Sequence, residues 1–479
     1  MYREKRRSRV NEIAVHAAVR NVGNFPACGL FRSVMTRVHS NRRFPGPPRF
    51  LAICTFVLTG IAMPAPARAE DCGFKTPPDI TISKELLMTD LSVVNDVRAN
   101  GPDGAWSFGH LMTAMAPGND AGERVKGWLR SWETASRING FAVDARPAIP
   151  DKIARPWMAK DGATSFETWT PNLANAPFRL LAIVYRPDLG IVTKDNTIAN
   201  AGEARLVFSA LDLNRTTDLD RAPPLPFTLI FEYALPASNR EQVKTWAERW
   251  HALGRLPFGA TYNEALERIT HDFDGSTGVR ALARLRTNEG LGFPWQLREF
   301  HLDPHDQRLI VAPVSNTPDL SLISQADALS AYINDNRGDD IPTRFIGGRA
   351  NMPDRNFRWP RMAIANNVLR HNFAMLTCNG CHAAETGRKA DDTGTADDGH
   401  SGFRHISGRD KDAEATLSEF LTGNPAVVTD PTGKLQTFCD LKMRQKAMFE
   451  ALHPLPAPAA TASHPDDLSV ARSRKDRTD

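Results

Sequence analysis

Phe178-Arg-Leu-Leu-Ala-Ile-Val-Tyr185, Arg205-Leu-Val-Phe-Ser-Ala-Leu211 and Phe227-Thr-Leu-Ile-Phe-Glu-Tyr233 decide the fold class. Each is a short run of β-branched, aromatic and aliphatic residues, and the stretches between them carry the Pro, Gly, Asn and Asp that punctuate strands. In the third run Phe227, Leu229, Phe231 and Tyr233 share one face of an extended chain. Antiparallel strands packed on a core follow. Trp295 to Leu302 and Leu309 to Val314 also have strand-like composition. No glycine fingerprint follows a strand, and there is no phosphate loop and no internal repeat, so a nucleotide cofactor has no evident seat.

Helical periodicity fills the gaps between these runs. Val125, Trp128, Leu129 and Trp132 recur at helical spacing within Gly118 to Thr134. Ser238-Asn-Arg-Glu241 fits a capping box, Val243, Trp246, Ala247, Trp250 and Leu253 form an apolar stripe, and Gly254 supplies a stop. The tryptophans of that stripe read as core. Another helix is expected near Tyr262 to Phe273. The fold class is therefore α+β: an antiparallel-strand-rich N-terminal domain, followed past a polar Asn334 to Arg349 linker by a small, mainly helical one.

The chain has 479 residues, 41% hydrophobic and 24% charged, values that exclude wholesale disorder, collagen and coiled coil. Residues 1–69 hold 12 Lys/Arg against 2 Asp/Glu, so their removal would take the formal charge from +4 to −6. An electrostatic case for nucleic-acid binding disappears with them. That segment reads as a leader: Arg42, Arg43 and Arg49 precede the apolar run Phe50 to Met63, and Ala67-Arg68-Ala69 forms a signal-peptidase pattern, with cleavage expected before Glu70. Met35 would give a leader of conventional length, and an uncleaved anchor is the alternative. The apolar run is shorter than the roughly 20 residues that span a bilayer, and no later segment is longer, so no membrane span is expected in the mature chain. The expected organisation is 1–69 signal peptide and extension, 70–340 α+β domain, 341–455 second domain and 456–479 disordered tail.

Of the 6 cysteines, Cys28 and Cys54 fall in the leader, leaving Cys72, Cys378, Cys381 and Cys439. Two belong to one motif, Thr377-Cys-Asn-Gly-Cys-His382. Cys-x-x-Cys-His is the attachment pattern of c-type haem: two intervening residues let both sulfurs meet the vinyl groups on one porphyrin edge, and the adjoining imidazole reaches the iron. With 6 Cys and 13 His in the chain, chance would produce the pattern about 0.002 times. Export agrees with it, because covalent haem attachment in bacteria takes place in the periplasm. Cys72 and Cys439 remain as a candidate disulfide between the two ends of the mature chain, with two separate thiols as the alternative.

On these residues the chain resembles the c-type cytochromes over its C-terminal region. The resemblance implies a cytochrome-c-like haem domain at 341–455 with one covalent haem c, Cys378 and Cys381 as thioether positions and His382 as proximal ligand. It also implies periplasmic electron transfer, or a redox step of undefined substrate with an unknown redox partner, and leaves open whether the chain is an oxidoreductase. Thr377 to Thr386, Phe403-Arg-His-Ile-Ser-Gly-Arg409 and Phe420-Leu-Thr-Gly423 are further similar to a set of exported bacterial proteins, which implies architecture and no activity. For the sixth iron position His405 is preferred, because Gly387 to Gly402 reads as a loop that brings the chain back at Phe403, and it would give a low-potential bis-His site. Met443 is the alternative and would raise the potential. With the sixth position open, His405 and Arg409 could instead act as distal catalytic groups. Beyond it, Asp410 or Asp412 is expected to cap a short helix with Leu417, Phe420 and Leu421 as its apolar side.

Other readings of the cysteine pair stay open. A Cys378–Cys381 disulfide would make the chain a haem-free exported binding or structural protein. A thiol-disulfide redox pair should start a helix, whereas this pair follows one. A zinc site could combine Cys378, Cys381, His382 and Cys439.

Overall fold

The computed structural model describes residues 77–454 except 78, 98–100, 103, 117, 119, 191–196, 280, 293–294, 315–329, 332, 336–363, 376, 378–383, 387–402, 409–412, 423–426, 431 and 433. Residues 1–69, read above as a leader, Cys72 and residues 456–479, read as a tail, lie outside the described residues. In chain order the elements are α1 (Ile82–Glu85), β1 (Leu87–Met88), α2 (Leu91–Val94), α3 (Phe108–Ala114), α4 (Ala121–Arg130), β2 (Ser136–Ile138), β3 (Phe141–Val143) and α5 (Arg155–Lys160). Next come β4 (Phe178–Arg186), β5 (Asn200–Leu211), β6 (Pro224–Pro236), α6 (Arg240–Leu253), α7 (Ala260–His271), β7 (Leu282–Glu289), β8 (Gln296–Leu302) and β9 (Leu309–Ala312). The chain continues with α8 (Asn367–Met375), β10 (Val427–Thr429), β11 (Leu435–Thr437) and α9 (Asp440–Leu452).

The three strand-like runs are the centre of a seven-stranded sheet, ordered β1-β4-β5-β6-β7-β8-β9, in which every neighbouring pair is antiparallel. The mixed helix-and-strand class with a large antiparallel sheet is as the sequence implies. Residues alternate across β6. Phe227 packs on Trp132 and Phe178, Phe231 on Phe108 and Phe208, and Tyr233 on Phe273, so this face joins helices α3 and α4 in one aromatic core. Val125, Trp128, Leu129 and Trp132 are all buried in it, as the spacing requires.

The other face of the same strands carries charge. Arg205 on β5 is opposite Glu232 on β6, Glu232 is opposite Arg284 on β7, and Arg286 on β7 is opposite Glu299 on β8. Arg284 Nε lies 2.5 Å from Glu232 Oε2, Arg286 Nη1 3.2 Å from Glu232 Oε1, and Arg286 Nη2 3.3 Å from Glu299 Oε1. Glu232 has no exposed surface at all. Burial pushes its carboxyl up, but Arg205, Arg286 and Arg284 outweigh burial and hold it down at about 2. This ladder explains why β7 is absent from the sequence-based strands: its arginines read as solvent-facing, but Arg286 is buried and Arg284 is largely covered.

Helix α6 forms where expected, with its cap one residue on. Asn239, not Ser238, is the N-cap: its side chain accepts from Gln242 N at 3.0 Å, and Gln242 Oε1 accepts in return from Ser238 N at 2.7 Å. The Asn239…Gln242 frame wins over Ser238…Glu241 because the extended backbone at Asn239 aims its amide oxygen at the third turn donor. Trp250 of the stripe stacks on Tyr185 at 5.0 Å. Gly254 does end the helix, but with right-handed dihedrals, so the reason for glycine is steric: a Cβ there would fall on the Glu85 carboxylate.

By internal contacts the chain divides into Met1–Pro64 and Ala65–Asp479, and the described residues all belong to the second unit. Elements on both sides of the expected 340/341 boundary share one core, since Ile406, Ala415, Leu441 and Met448 sit in the same buried cluster as the sheet. Ala415 N donates to Thr89 O and Leu91 N to Ala413 O, and Ser407 pairs with Thr416. These pairings make 413–418 extended. The short helix expected there is replaced by a single 3-10 turn, Glu419–Leu421. Helix α9 packs against α6, and Gln445 Nε2 donates to Ile80 O at 2.8 Å. Among the described residues no helix is long and apolar enough to cross a membrane.

Candidate functional site

Cys378, Cys381 and His382 lie outside the described residues, but both flanks of the motif are described and both are buried. Helix α8 delivers the chain to the motif, and Thr377 closes that helix by donating its hydroxyl to Ala374 O at 2.7 Å. On the far side a 3-10 turn, Ala384–Thr386, places Glu385 in the interior.

The two flanks are tied together by charge. Arg370, on α8, reaches Glu385 with both terminal nitrogens, Nη2 at 3.0 Å from Oε2. His371, next in sequence, faces the same Oε2 through Nδ1 at 2.8 Å. A third segment joins through Asp430, at the end of β10: its Oδ2 accepts from Arg370 Nη2 at 2.9 Å, Asn367 Nδ2 at 2.7 Å and Gln436 Nε2 at 2.8 Å. Its other oxygen accepts from the backbone N–H groups of Thr432 at 2.8 Å and Lys434 at 3.0 Å, which shapes the β10–β11 turn. Burial raises the Asp430 carboxyl, and these donors outweigh it and keep it well below the ordinary carboxylate range. Arg370, His371, Glu385 and Asp430 are each at most 6% exposed, which makes the network a buried, satisfied one.

His371, Glu385 and Asp430 bring their ligand atoms within 4.8 Å of one another, a spacing that suits a metal ion. Arg370 argues against one: its guanidinium already supplies the positive charge between the two carboxylates. The arrangement holds the chain on either side of the motif at a fixed separation. Beside it, Phe403 and Phe420 form a small apolar cluster with Met375, Leu421 and Phe438.

The structure places the two distal-ligand candidates in different settings. His405 is buried on the charged face of the sheet, with Nδ1 3.0 Å from Thr228 Oγ1 on β6 and its ring edge-on to Phe403. Its Nε2 is turned to the β7–β8 connection, where a Cβ built at Gly290 would come within 2.9 Å of it. Met443 is half-buried in the first turn of α9. Cys439, which precedes that helix, is disulfide-bonded, and every other cysteine of the chain lies outside the described residues.

No protein-family model, no curated protein and no solved structure matches this chain. Function therefore rests on the residues themselves. Sequence reading missed Arg370, His371, Glu385 and Asp430. The first three had a local signal, an Arg-His pair on the helix entering the motif and an acidic residue just after it. Asp430 had none.

Proposed function

We propose that the chain is an exported, periplasmic c-type cytochrome protein with one covalent haem, held by Cys378 and Cys381 with His382 as the proximal iron ligand, acting in electron transfer or a redox step. The observation that carries this reading is a Cys-x-x-Cys-His run whose two flanks are buried and bridged by Arg370 and His371 to Glu385. The donor set suits the group: two thiols with two residues between them and an adjoining imidazole. When bound, haem supplies one-electron chemistry at its iron. The chain's own residues hold the attachment loop. Glu385 is fixed by Arg370 and His371, Thr377 closes α8, and the Phe403–Phe420–Phe438 cluster excludes water beside the helix end. His405 would serve as a distal ligand by turning from Thr228 and Gly290, and Met443 by turning from the first turn of α9; spectroscopy distinguishes the two.

The disulfide of Cys439 bears on this reading. Pairing with Cys72 leaves both motif sulfurs for thioether bonds; pairing with either motif cysteine removes one. Mature protein made with the haem-attachment machinery should begin at Glu70, carry the added mass of one haem and give a c-type pyridine haemochrome, with Cys378→Ala and Cys381→Ala each lowering haem retention. An intact mass without haem, with non-reducing peptide maps showing Cys378 joined to Cys381 or Cys439, would replace it with a haem-free binding or structural role. A weak far-red charge-transfer band lost in Met443→Ala would assign Met443; its absence, with cyanide binding gained in His405→Ala, would assign His405.

A further inference from the structure

Between the charged face of the sheet and the chain that returns at Phe403 lies a cavity of about 80 Å³. Its floor is a stretch where that face is apolar: Ala182 on β4, Val207 on β5 and Ile230 on β6 sit in register, with Val184 beside them. Phe403, Ile406 and Leu417 close it from the opposite side. Asn288 on β7, opposite Thr228 in the ladder, belongs to the lining. It is only 7% exposed, and its Oδ1 accepts no hydrogen bond. A buried acceptor without a donor costs free energy, so this oxygen favours a ligand that brings a hydroxyl.

The charge of the lining has one sign. Arg186, Arg205, Arg404 and Arg444 contribute to it, and no carboxylate does among the described residues. Three of these guanidinium groups already have an acid outside the cavity: Arg186 Nη2 is 2.8 Å from Asp188 Oδ2, Arg205 Nη2 2.8 Å from Glu203 Oε2 and Arg444 Nη2 2.6 Å from Asp440 Oδ2. Arg404 is exposed, and among the described residues no carboxylate pairs with it. Its backbone is held by Ser418, whose Oγ accepts from Arg404 N at 2.8 Å and donates to Arg404 O at 3.3 Å. A guanidinium on a fixed backbone at the solvent side of an apolar cavity suits the carboxylate of a ligand whose body lies inside.

We propose that this cavity binds a short aliphatic hydroxycarboxylic acid, with the carboxylate on Arg404, the hydroxyl donating to Asn288 Oδ1 and the carbon chain over Val207 and Ile230. Size limits the chain. At about 30 Å³ for a water-sized group, the cavity holds roughly three such groups, which is an aliphatic span of about three carbons. Each part of the ligand answers a feature of the protein that is otherwise unmet: an apolar space, a buried acceptor and an unpaired cation. None of these residues belongs to the Cys-x-x-Cys-His motif, so the site stands apart from the haem reading.

Calorimetric titration of the isolated mature protein with 4-hydroxybutyrate should show one saturable site per chain. Butyrate, which lacks the hydroxyl, and 1,4-butanediol, which lacks the charge, should each bind about fivefold more weakly. Arg404→Ala should weaken both acids by about fivefold and leave the diol unchanged, whereas Asn288→Ala should bring 4-hydroxybutyrate to the level of butyrate and leave butyrate unchanged. A merely structural role for either residue would move all three ligands together. Arg404 is exposed, so its variant keeps the test valid if Asn288→Ala fails to fold, and ligand-free melting temperatures establish which variants do. No saturable binding, or acids that bind equally well to Arg404→Ala, would overturn the site. Equal binding of butyrate and 4-hydroxybutyrate to the unaltered protein would overturn the hydroxy-acid assignment.

Discussion

Phe231 and Glu232 are neighbours on β6, both without exposed surface, and they look into opposite worlds. Phe231 meets Phe108 and Phe208 in a core of aromatic rings. Glu232 meets Arg205, Arg284 and Arg286 in a ladder of ion pairs. One face is held by burial of apolar area, which is tolerant of neighbours. The other is held by pairing, which is not: three guanidinium groups converge on Glu232, with Glu203 and Glu299 completing the ladder, so its removal leaves three positive charges facing two negative ones. A sheet can bury both sides without being apolar on both.

The largest expected effect tests that difference directly. Phe231→Ala should cost about 3–5 kcal/mol through a cavity, and Glu232→Ala should match it at about 3–5 kcal/mol through stranded charge. Denaturant unfolding measures both, and a cost below about 1 kcal/mol for Glu232→Ala would remove the ladder from the account. Acidity separates the two faces. With its folded carboxyl held at about 2 against an ordinary 4.5, Glu232 contributes stability above pH 4.5 and loses it as pH falls through 2. That loss should be about 3 kcal/mol, absent from the pH profile of Glu232→Gln and present in that of Phe231→Ala.

The same contrast explains what could be read from the sequence. β4, β5 and β6 were legible because their aromatic and aliphatic residues alternate or run together whatever lies opposite. β7 was not, because Arg284 and Arg286 carry the signature of a surface, and it is Glu203, Glu232 and Glu299, on other strands, that draw them inward. The helix frame around Ser238 was legible but not its register, since Ser238…Glu241 and Asn239…Gln242 satisfy one pattern. At the motif, the cysteines and histidine are a local signal, and Glu385 is three residues beyond it. Asp430 and the Thr228 partner of His405 are placed by tertiary folding alone, and no spacing encodes them.

Gly254 offers a smaller and sharper test, because the sequence assigns it conformational freedom and the structure assigns it space. Its dihedrals suit any residue, so Gly254→Ala would be mildly stabilising if conformation were the whole story. With the Glu85 carboxylate in the way, the substitution should instead cost about 1–3 kcal/mol. A double-mutant cycle with Glu85→Ala should return a coupling of about 0.5–3 kcal/mol. Additive costs would mean that the carboxylate yields easily and that glycine is there for the turn.

The smallest effect decides the helix frame. Asn239 accepts from Gln242 N at 3.0 Å and so satisfies a first-turn donor that has no partner within the helix. Asn239→Ala should therefore cost about 1 kcal/mol. Ser238 donates its hydroxyl to Gln242 Oε1 at 3.0 Å on an exposed surface, where water substitutes for either partner. Ser238→Ala should stay within about 0.5 kcal/mol. Because both positions precede one helix and neither touches the core, the two costs compare directly. A larger cost at Ser238 than at Asn239 would return the cap to the frame suggested by Ser238 and Glu241, and would move the start of α6 by one residue.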